Sequence, residues 1–357
     1  MDTTCLPMVK NHASRCPRSG SASYARAARR YNFDSPIFVG YNGTVFRRYE
    51  SDDYCHMQTY RGHQFDQDRH GSNQWDDVDY DNPDIFHPDR SGVTEVAAED
   101  IQHDQEYVVP VLIGSPGVVL HLDLDTGSSD LWVWSSELRI DTQRHNIYIP
   151  EESATARELV GATWRISYGD GSSASGNVYT DNVTIGNIRI PNQAVELAED
   201  LSQSFIDDVG SDGLLGLAWP SLNTVRPYPV RTPIQNMLEQ GRAPGIFSVA
   251  LDKGDGNGFY TFGGIDPFRA GVYESDIIYT TVDNSKGFWM FYSESARING
   301  QTFDLPENKA IMDTGTSLTL LSDDIVRATY STIPGAYLDE DHGGWVYPGE
   351  EEGDPYL

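Results

Sequence analysis

One short pattern occurs twice in this sequence of 357 residues, and it constrains the fold more than any other feature. A hydrophobic segment runs into Asp-Thr-Gly and then a hydroxyl residue at 122–128, and again at 310–316. The aspartates of the two copies, Asp125 and Asp313, lie 188 residues apart, which is about the length of one domain. A single Asp-Thr-Gly would be weak evidence, because Asp and Gly both favour tight turns. Two copies at this spacing predict two similar lobes that each contribute one aspartate to a shared cleft.

The sequence around the repeat has a pattern that is typical of short strands separated by turns. From residue 106 onward, runs of β-branched and aromatic residues alternate with clusters of Gly, Asp, Asn and Ser. This alternation of apolar runs with turn-forming residues predicts strands at 107–113, 118–124, 163–168, 182–185, 247–251, 259–262 and 288–292. Helices are predicted only at 233–240, which has Pro near its start and Gly past its end, and at 322–330. The predicted fold class is all-β.

Two carboxyl groups held close together have a specific chemistry. Only one of them ionises easily, so the pair keeps a single proton over a wide acidic range. The ionised member can take a proton from a water molecule, while the protonated member donates to an amide carbonyl oxygen. Asp125 and Asp313 are therefore predicted to be a catalytic dyad. Glycoside hydrolysis also uses two carboxylates, but a symmetric pair on duplicated lobes favours peptide hydrolysis.

The neighbours of the two aspartates are predicted to support them and to meet substrate. The hydroxyls of Ser128 and Thr316 can donate to the outer carboxylate oxygens and fix their orientation. Glycine beside each aspartate lets a substrate backbone approach closely, and a residue two positions before Asp125 shares its side of the strand. The residues assigned to substrate contact on these loops are Gly127, Gly315, Ser317 and Asp123.

These motifs resemble the pepsin-like aspartic proteases, and in detail the secreted fungal enzymes of the aspergillopepsin and penicillopepsin type. The resemblance extends from about residue 106 to about residue 347, and it implies a bilobal all-β fold with pseudo-twofold symmetry. The two catalytic loops of the family are matched at 125–133 and 310–321, and the flap hairpin is matched at 166–176. The segment behind the first loop is matched at 212–217, and the junction between the lobes at 262–266.

The resemblance also implies roles for residues outside the two loops. Tyr168 would lie at the tip of the flap, with its hydroxyl bonded to the indole N–H of Trp132. Gly169 and Asp170 would contact the substrate backbone, and relatives with an acidic flap residue accept Lys beside the scissile bond. Two threonines would brace the catalytic loops against each other, namely Thr126 and Thr314.

The residues before the repeat region divide into two stretches of opposite charge. Residues 1–30 contain six Lys or Arg against a single Asp, and residues 22–31 resemble a propeptide whose cations cover an acidic cleft. The alternative is an unrelated basic tail. Residues 50–106 contain sixteen acidic residues against three Arg, which indicates a solvated linker. The predicted domains are 1–104, a propeptide-like basic segment plus an acidic disordered linker; 105–267, the N-terminal lobe; and 268–357, a partial C-terminal lobe.

A calcium loop was a candidate within the acidic stretch, because Asp77, Asp79 and Asp81 alternate there. The calcium-loop pattern requires Gly at its sixth place and Glu at its twelfth, where this chain has Asn82 and Pro88. No metal site is therefore predicted, and hydrolysis by an activated water needs no cofactor.

Composition limits the partners of the protein. The chain carries 25 Lys and Arg against 54 Asp and Glu, a formal net charge of −29, which disfavours nucleic acid and anionic membranes. All three cysteines lie in the first 55 residues, so a disulfide framework is excluded for the rest. The expected partners are peptide or protein substrates and the chain's own propeptide as an intramolecular inhibitor, with a monomeric state. The resemblance implies secretion, although no signal peptide is visible.

The second lobe departs from the family pattern. After Asp313 the sequence has no counterpart of Leu214-Leu215-Gly216, the element expected behind the first catalytic loop. The C-terminal lobe is therefore expected to be truncated. Two functions are predicted: an aspartic endopeptidase that works at acid pH and is made as a zymogen, or a catalytically inactive pseudo-protease that at most binds peptides.

Overall fold

The structure is a computed structural model that describes residues 93–101, 106–142, 144–169, 171–208, 210–251, 258–265, 279–317, 319–339 and 344–347. The predicted propeptide and most of the acidic linker lie outside the described residues, and so does Asp170. Within these ranges, no helix is both long and apolar enough to cross a membrane.

Strands dominate the described chain. The first ten strands are β1 (Thr94–Ile101), β2 (Glu106–Gly114), β3 (Gly117–Asp125), β4 (Leu131–Val133), β5 (Arg157–Ser167), β6 (Ser173–Ile185), β7 (Ile188–Leu201), β8 (Gly213–Gly216), β9 (Phe247–Ala250) and β10 (Gly258–Phe262). The later strands are β11 (Met290–Tyr292), β12 (Ser295–Ile298), β13 (Gln301–Asp304), β14 (Lys309–Ile311), β15 (Tyr337–Asp339) and β16 (Gly344–Val346). The α-helices are α1 (Gln203–Ile206), α2 (Pro233–Glu239) and α3 (Asp323–Tyr330), and single 3-10 turns occur at Pro150–Glu152 and Pro220–Leu222.

The first ten strands form one sheet that closes on itself. Their order is β5-β6-β7-β4-β8-β3-β2-β1-β10-β9, and β6 also pairs with β2. This extra pairing joins β6, β7, β4, β8, β3 and β2 into a closed ring. Long strands make the closure possible, because β6 and β7 span 13 and 14 residues and can bend across register shifts.

Alternating apolar residues fill the inside of this barrel. On β3, Leu120, Leu122 and Leu124 are fully buried, and they belong to one core cluster with residues from β2, β6, β7 and β8. Successive strand residues point to opposite faces, so this spacing places all three leucines on one face. A second cluster on the other side contains Trp132 and Trp164, whose rings stack with centroids 6.2 Å apart. The core therefore anchors both ends of the first catalytic loop.

Strand β1 corrects the predicted linker. The sequence prediction included residues 94–101 in a disordered segment because acidic residues dominate the region. In the structure these residues pair with β2 on one side and with β10 on the other. Val96 and Ala98 are buried in the core, while the acidic side chains before and after them are exposed or half-buried. The alternation of apolar residues in β1 is short and lies among acidic residues, so the sequence did not indicate a strand. Strands β2 and β10 supply the backbone hydrogen bonds of β1.

The chain after residue 279 forms small sheets around a second copy of the catalytic pattern. Strand β11 pairs with β14, β12 with β13, and β15 with β16, all antiparallel. Strand β14 runs into the second Asp-Thr-Gly as β3 runs into the first. The predicted all-β, bilobal class is confirmed by this arrangement. Helices α2 and α3 also occur where they were predicted, and the Thr232 side chain caps α2 by accepting from the backbone N–H of Gln235.

Asp212 holds the segment behind the first catalytic loop. Its buried carboxylate accepts hydrogen bonds from the backbone N–H groups of His121 and Asn146, both at 2.9 Å. The imidazole Nδ1 atoms of His121 and His145 lie 3.6 Å from its two oxygens. Burial opposes ionisation of this carboxyl, but the contacts with His121, His145 and Asn146 outweigh it and lower the pKa of Asp212 to about 2.

Replacing Asp212 with Asn is expected to destabilise the protein in a pH-dependent way. A depressed carboxyl pKa contributes stability above the unfolded-state pKa, and that stability is lost as the pH falls through about 2. The loss should therefore be about 2 kcal/mol at pH 5 and should vanish in strong acid. Thermal unfolding at several pH values measures it, with Asp200→Asn, an exposed position, as the matched control. A penalty that is the same at every pH would contradict the assigned role of the charge.

Candidate active site

Asp125 ends strand β3 and is fully buried, with 0% of its surface exposed. Its carboxylate is held at both oxygens by the turn that follows it. The backbone N–H of Gly127 donates to Oδ1 at 2.8 Å, and the hydroxyl of Ser128 donates to Oδ2 at 2.5 Å. Charge-assisted hydrogen bonds of this kind are strong, so the orientation of the carboxylate is fixed before any substrate binds.

Asp313 repeats this geometry after strand β14. The backbone N–H of Gly315 donates to its Oδ1 at 3.1 Å, and the hydroxyl of Thr316 donates to its Oδ2 at 2.5 Å. Asp313 is half-buried, whereas its counterpart Asp125 is fully buried. The two carboxyl groups are therefore presented in the same way by their loops but in unequal surroundings.

Thr126 and Thr314 join the two loops through reciprocal hydrogen bonds. Each backbone N–H donates to the hydroxyl of the other threonine at 3.0 Å. The Thr126 hydroxyl donates to the carbonyl of Met312 at 2.9 Å, and the Thr314 hydroxyl donates to the carbonyl of Leu124 at 2.5 Å. Each of these carbonyls belongs to the residue that precedes an aspartate, so the contacts are related by the pseudo-twofold axis.

Gly315 brings the second loop directly against the first carboxylate. A methyl group added at Gly315 would place its carbon 2.5 Å from Asp125 Oδ1 and 2.6 Å from Asp125 Cγ. Such distances are far below van der Waals contact, so only glycine allows this approach. The structure thus brings the two Asp-Thr-Gly copies, 188 residues apart in the sequence, into one site.

Strand β8 and the residues after it support the first catalytic loop from behind. β8 pairs in parallel with β3, with Gly216 opposite Asp125. The backbone N–H of Leu217 donates to the carbonyl of Asp125 at 2.8 Å, and that of Ala218 donates to the carbonyl of Ser128 at 2.9 Å. The backbone of the loop is therefore bonded at both ends of the Asp-Thr-Gly-Ser sequence, as expected for the segment at 212–217.

The flap is the hairpin of β5 and β6. Its tip is a tight turn in which the Tyr168 N–H donates to the Ser172 carbonyl at 2.8 Å, and Gly171 has a φ of +85°. The indole N–H of Trp132 donates to the Tyr168 hydroxyl at 2.8 Å, which is the contact that the resemblance implied. Phe205 packs edge-on against both rings, with centroids 4.8 and 5.6 Å away.

Replacing Tyr168 with Phe removes the acceptor of the Trp132 indole N–H. Trp132 is only 1% exposed, so its N–H would be buried without a partner, at a cost of about 1–3 kcal/mol. We expect a lower Tm and a higher KM for peptide substrates. Tyr228→Phe makes the same change at a residue that is 80% exposed and should alter neither quantity. Equal Tm values for the two variants would show that the hydrogen bond does not stabilise the flap.

The remaining predicted substrate residues lie in different environments. Asp123 is buried on β3, opposite Val108 of β2 and Leu214 of β8. Gly169 is buried beside Tyr168 at the flap tip, whereas Ser317 is exposed after the second loop.

Tyr260 on β10 is a site residue that the sequence argument missed. Its ring is fully buried, and its hydroxyl donates to the Leu124 carbonyl at 3.0 Å, the same carbonyl that accepts from Thr314. Burial and the charges of Asp123, Asp125 and Asp313 raise the pKa of this phenol far above its ordinary value. The strand at 259–262 was predicted, but no sequence signal indicated that Tyr260 reaches the dyad from another strand.

Across the ranges that the structure describes, no group of three or more His, Cys, Asp or Glu side chains is arranged to hold a metal ion.

Two strands that each run into an Asp-Thr-Gly turn, with the two turns joined by reciprocal threonine hydrogen bonds, define the pepsin-like class of aspartic protease. The family model described as eukaryotic aspartyl protease matches residues 106–354, and the chain belongs to this family.

Two curated relatives and one solved structure illustrate the similarity. The chain is 47% identical to Penicillopepsin-1 of Penicillium janthinellum over 246 residues, which are 69% of this chain and 73% of that protein. It is 45% identical to Aspergillopepsin-1 of Aspergillus fumigatus over 248 residues, which are 69% of this chain and 60% of that protein. The crystal structure of the aspartic proteinase from Irpex lacteus superposes with a TM-score of 0.55 at 28% identity and covers 69% of each chain.

Proposed function

We propose that this protein is an aspartic endopeptidase that hydrolyses peptide bonds at acid pH with Asp125 and Asp313 as its dyad. One observation carries the proposal. Each carboxylate receives a glycine N–H on Oδ1 and a hydroxyl on Oδ2, and reciprocal threonine bonds hold the two loops together. Such symmetry supports a shared task for the two groups, because separate structural roles would not require matching donors.

The pair activates a water molecule. One carboxyl group is ionised and takes a proton from the water, whose oxygen then bonds to the carbonyl carbon of the substrate. The other carboxyl group is protonated and donates its proton to the carbonyl oxygen, which gives a tetrahedral diol. The diol then breaks at its carbon–nitrogen bond: the carboxyl group that took the water proton gives it to the nitrogen, and the other, now ionised, takes a proton from a diol hydroxyl. This releases one carboxyl and one amine product and restores the singly protonated pair. No covalent bond forms between enzyme and substrate.

The acid optimum follows from the shared proton. Two carboxyl groups in close contact titrate as a pair, and hydrolysis needs the singly protonated state. Activity falls at high pH as the second proton leaves and at very low pH as the pair becomes doubly protonated. The half-buried state of Asp313 beside the fully buried Asp125 supports unequal behaviour of the two groups.

The flap supports an extended peptide as the substrate, and the uneven charge of the chain supports inhibition by its own propeptide. Tyr168 and Gly169 cover an extended peptide bound between the lobes at 105–267 and 268–357, and the exposed Ser317 and the flap residue Asp170 complete the contacts. The basic residues at 22–31 shield the acidic body in a zymogen at neutral pH and leave it as carboxylates become protonated. Secretion into an acidic medium fits this control.

Hydrolysis of acid-denatured haemoglobin by the purified full chain, at about pH 3.5 where a carboxyl pair holds one proton, tests the proposal. We expect new peptide amino groups to appear with time, and pepstatin to suppress them. A folded, soluble sample without pepstatin-sensitive hydrolysis would overturn the proposal. If such a sample still binds pepstatin, the inactive peptide-binding alternative would replace it.

A further inference from the structure

A second pair of carboxyl groups lies behind the first catalytic loop. Asp130 ends the loop that begins at Asp125, and Glu196 lies on β7 opposite Trp132 of β4. Their side chains are 0% and 1% exposed, and one atom contacts both: the Asn223 side-chain nitrogen lies 3.4 Å from Asp130 Oδ1 and 2.9 Å from Glu196 Oε1. Two adjacent buried carboxylates are costly unless each charge is compensated.

The hydrogen bonds of this pair compensate only one oxygen of each group. Asp130 Oδ1 accepts from the Thr224 N–H at 2.9 Å and from the Thr224 hydroxyl at 2.7 Å. Glu196 Oε1 accepts from the Asn223 side-chain amide at 2.9 Å. Among the described residues, no donor reaches the other two oxygens, Asp130 Oδ2 and Glu196 Oε2. A proton on one carboxyl group would turn it into a donor for its neighbour and remove one of the two buried charges.

The charges around the pair favour retention of that proton. Burial raises the pKa of Asp130 despite hydrogen bonds from Glu196 and Thr224 and the positive charge of Arg226. Burial and the adjacent Asp130 hold the pKa of Glu196 well above its usual range, against bonds from Asn223 and the Leu131 N–H. Arg226, which follows Asn223 and Thr224 in the chain, acts on Asp130 through its charge, whereas the side-chain donors Asn223 and Thr224 are neutral.

The pair is connected to both parts of the candidate site. The carbonyl of Asp130 accepts from the Gly216 N–H of β8 at 2.9 Å, and the Asn223 amide that holds Glu196 also donates to the Ser129 carbonyl at 3.1 Å. Glu196 lies in register with Trp132, whose indole N–H reaches the flap at Tyr168. A change in the Asp130–Glu196 contact would therefore displace the loop of Asp125 and the anchor of the flap together.

We propose that Asp130 and Glu196 share one proton, and that this proton positions the first catalytic loop and makes its integrity depend on acid. The inference rests on the proposed function, because it concerns the loop that carries Asp125. Groups with raised pKa values in the folded state stabilise it fully below their unfolded pKa values. That stabilisation is lost as the pH rises through the folded values, when the shared proton leaves and two buried negative charges face each other.

Glu196→Gln tests this proposal. The Gln amide carries hydrogens that it can donate to the adjacent Asp130 carboxylate at any pH, so it replaces the shared proton by a permanent hydrogen atom. Relative to the parent protein, we expect Tm at pH 7 to rise by about 5 °C and Tm at acid pH to change little. The pH at which the protein inactivates irreversibly should move upward by about one pH unit.

Glu199→Gln is the matched control, because Glu199 is an exposed residue on the same strand and its replacement removes the same charge. All Tm measurements are made with Asp313→Asn in every protein, which prevents self-digestion. They need no activity, so they remain informative if the proposed function fails. Asp130→Asn supplies a second route, since its amide can donate to the adjacent Glu196 carboxylate. The proposal is overturned if the two variants lower Tm equally at acid and neutral pH, or follow the pH dependence of Glu199→Gln.

Discussion

Replacing Asp125 with Asn is expected to lower kcat/KM for peptide hydrolysis by about 10⁴-fold or more. The amide cannot take a proton from water, and it cannot share a proton with Asp313. The Asn side chain keeps one oxygen, which can still accept one of the two hydrogen bonds that Gly127 and Ser128 donate to Asp125. The fold should therefore persist. Hydrolysis of a quenched fluorescent peptide at acid pH measures the loss, and Tm shows that the protein is intact.

Asp304→Asn makes the same chemical change at an exposed residue of β13 and should leave kcat/KM unaltered. The corresponding change at Asp313 should match the loss at Asp125, because hydrolysis requires both members of the dyad. Combining the two replacements should add little to either one, since groups that act as a unit are not additive. Residual activity within tenfold of the parent protein in the Asp125 variant would remove Asp125 from the mechanism.

Replacing Gly216 with Ala is expected to destabilise the protein by about 3 kcal/mol and to abolish hydrolysis. An added methyl carbon would lie 2.5 Å from Ser129 Cα and 2.6 Å from the Ser128 carbonyl oxygen. Both atoms belong to the backbone, so no side-chain rotation relieves the overlap. The first catalytic loop would have to move away from β8 and break the hydrogen bonds that hold Asp125 and Ser128.

Gly344→Ala is the control for this change, because nothing lies within 4 Å of the added carbon there. Calorimetry or thermal unfolding followed by near-ultraviolet circular dichroism gives the stability of both variants. A Gly216→Ala protein as stable and as active as the control would show that the loop is not packed against β8 as described.

The strands that carry the site were accessible to sequence analysis because their signals are local. Apolar and β-branched runs bounded by turn residues predicted most strands near the dyad, including β2, β3, β9 and β10. Helices α2 and α3 were predicted from their Pro, Gly and Ser signals, which act within one turn of the chain. Strand β1 was missed because its short alternation of buried Val96 and Ala98 is masked by acidic neighbours and is stabilised only by pairing with β2 and β10.

Contacts between residues far apart in the chain have no local sequence signal. Tyr260 reaches the carbonyl of Leu124 across 136 residues of sequence, and Phe205 packs on Trp132 and Tyr168 from a short helix. Neither residue type is unusual for its strand or helix, so nothing in the local pattern marks it as part of a site. Glu196 appears in the sequence as one acidic residue among many, although it is almost fully buried.

The class of fold, the repeat of Asp-Thr-Gly and the chemical character of the two loops are all encoded in local sequence, because composition, alternation and short motifs express local preferences. Three contacts arise from the folding of distant segments: Gly315 against the carboxylate of Asp125, the reciprocal bonds of Thr126 and Thr314, and the buried neighbours Asp130 and Glu196. These contacts depend on how the closed sheet brings separated segments together, and burial then changes the energetics of each charge. A carboxyl side chain on the surface ionises freely, whereas a carboxyl side chain buried beside a second one favours retention of a proton.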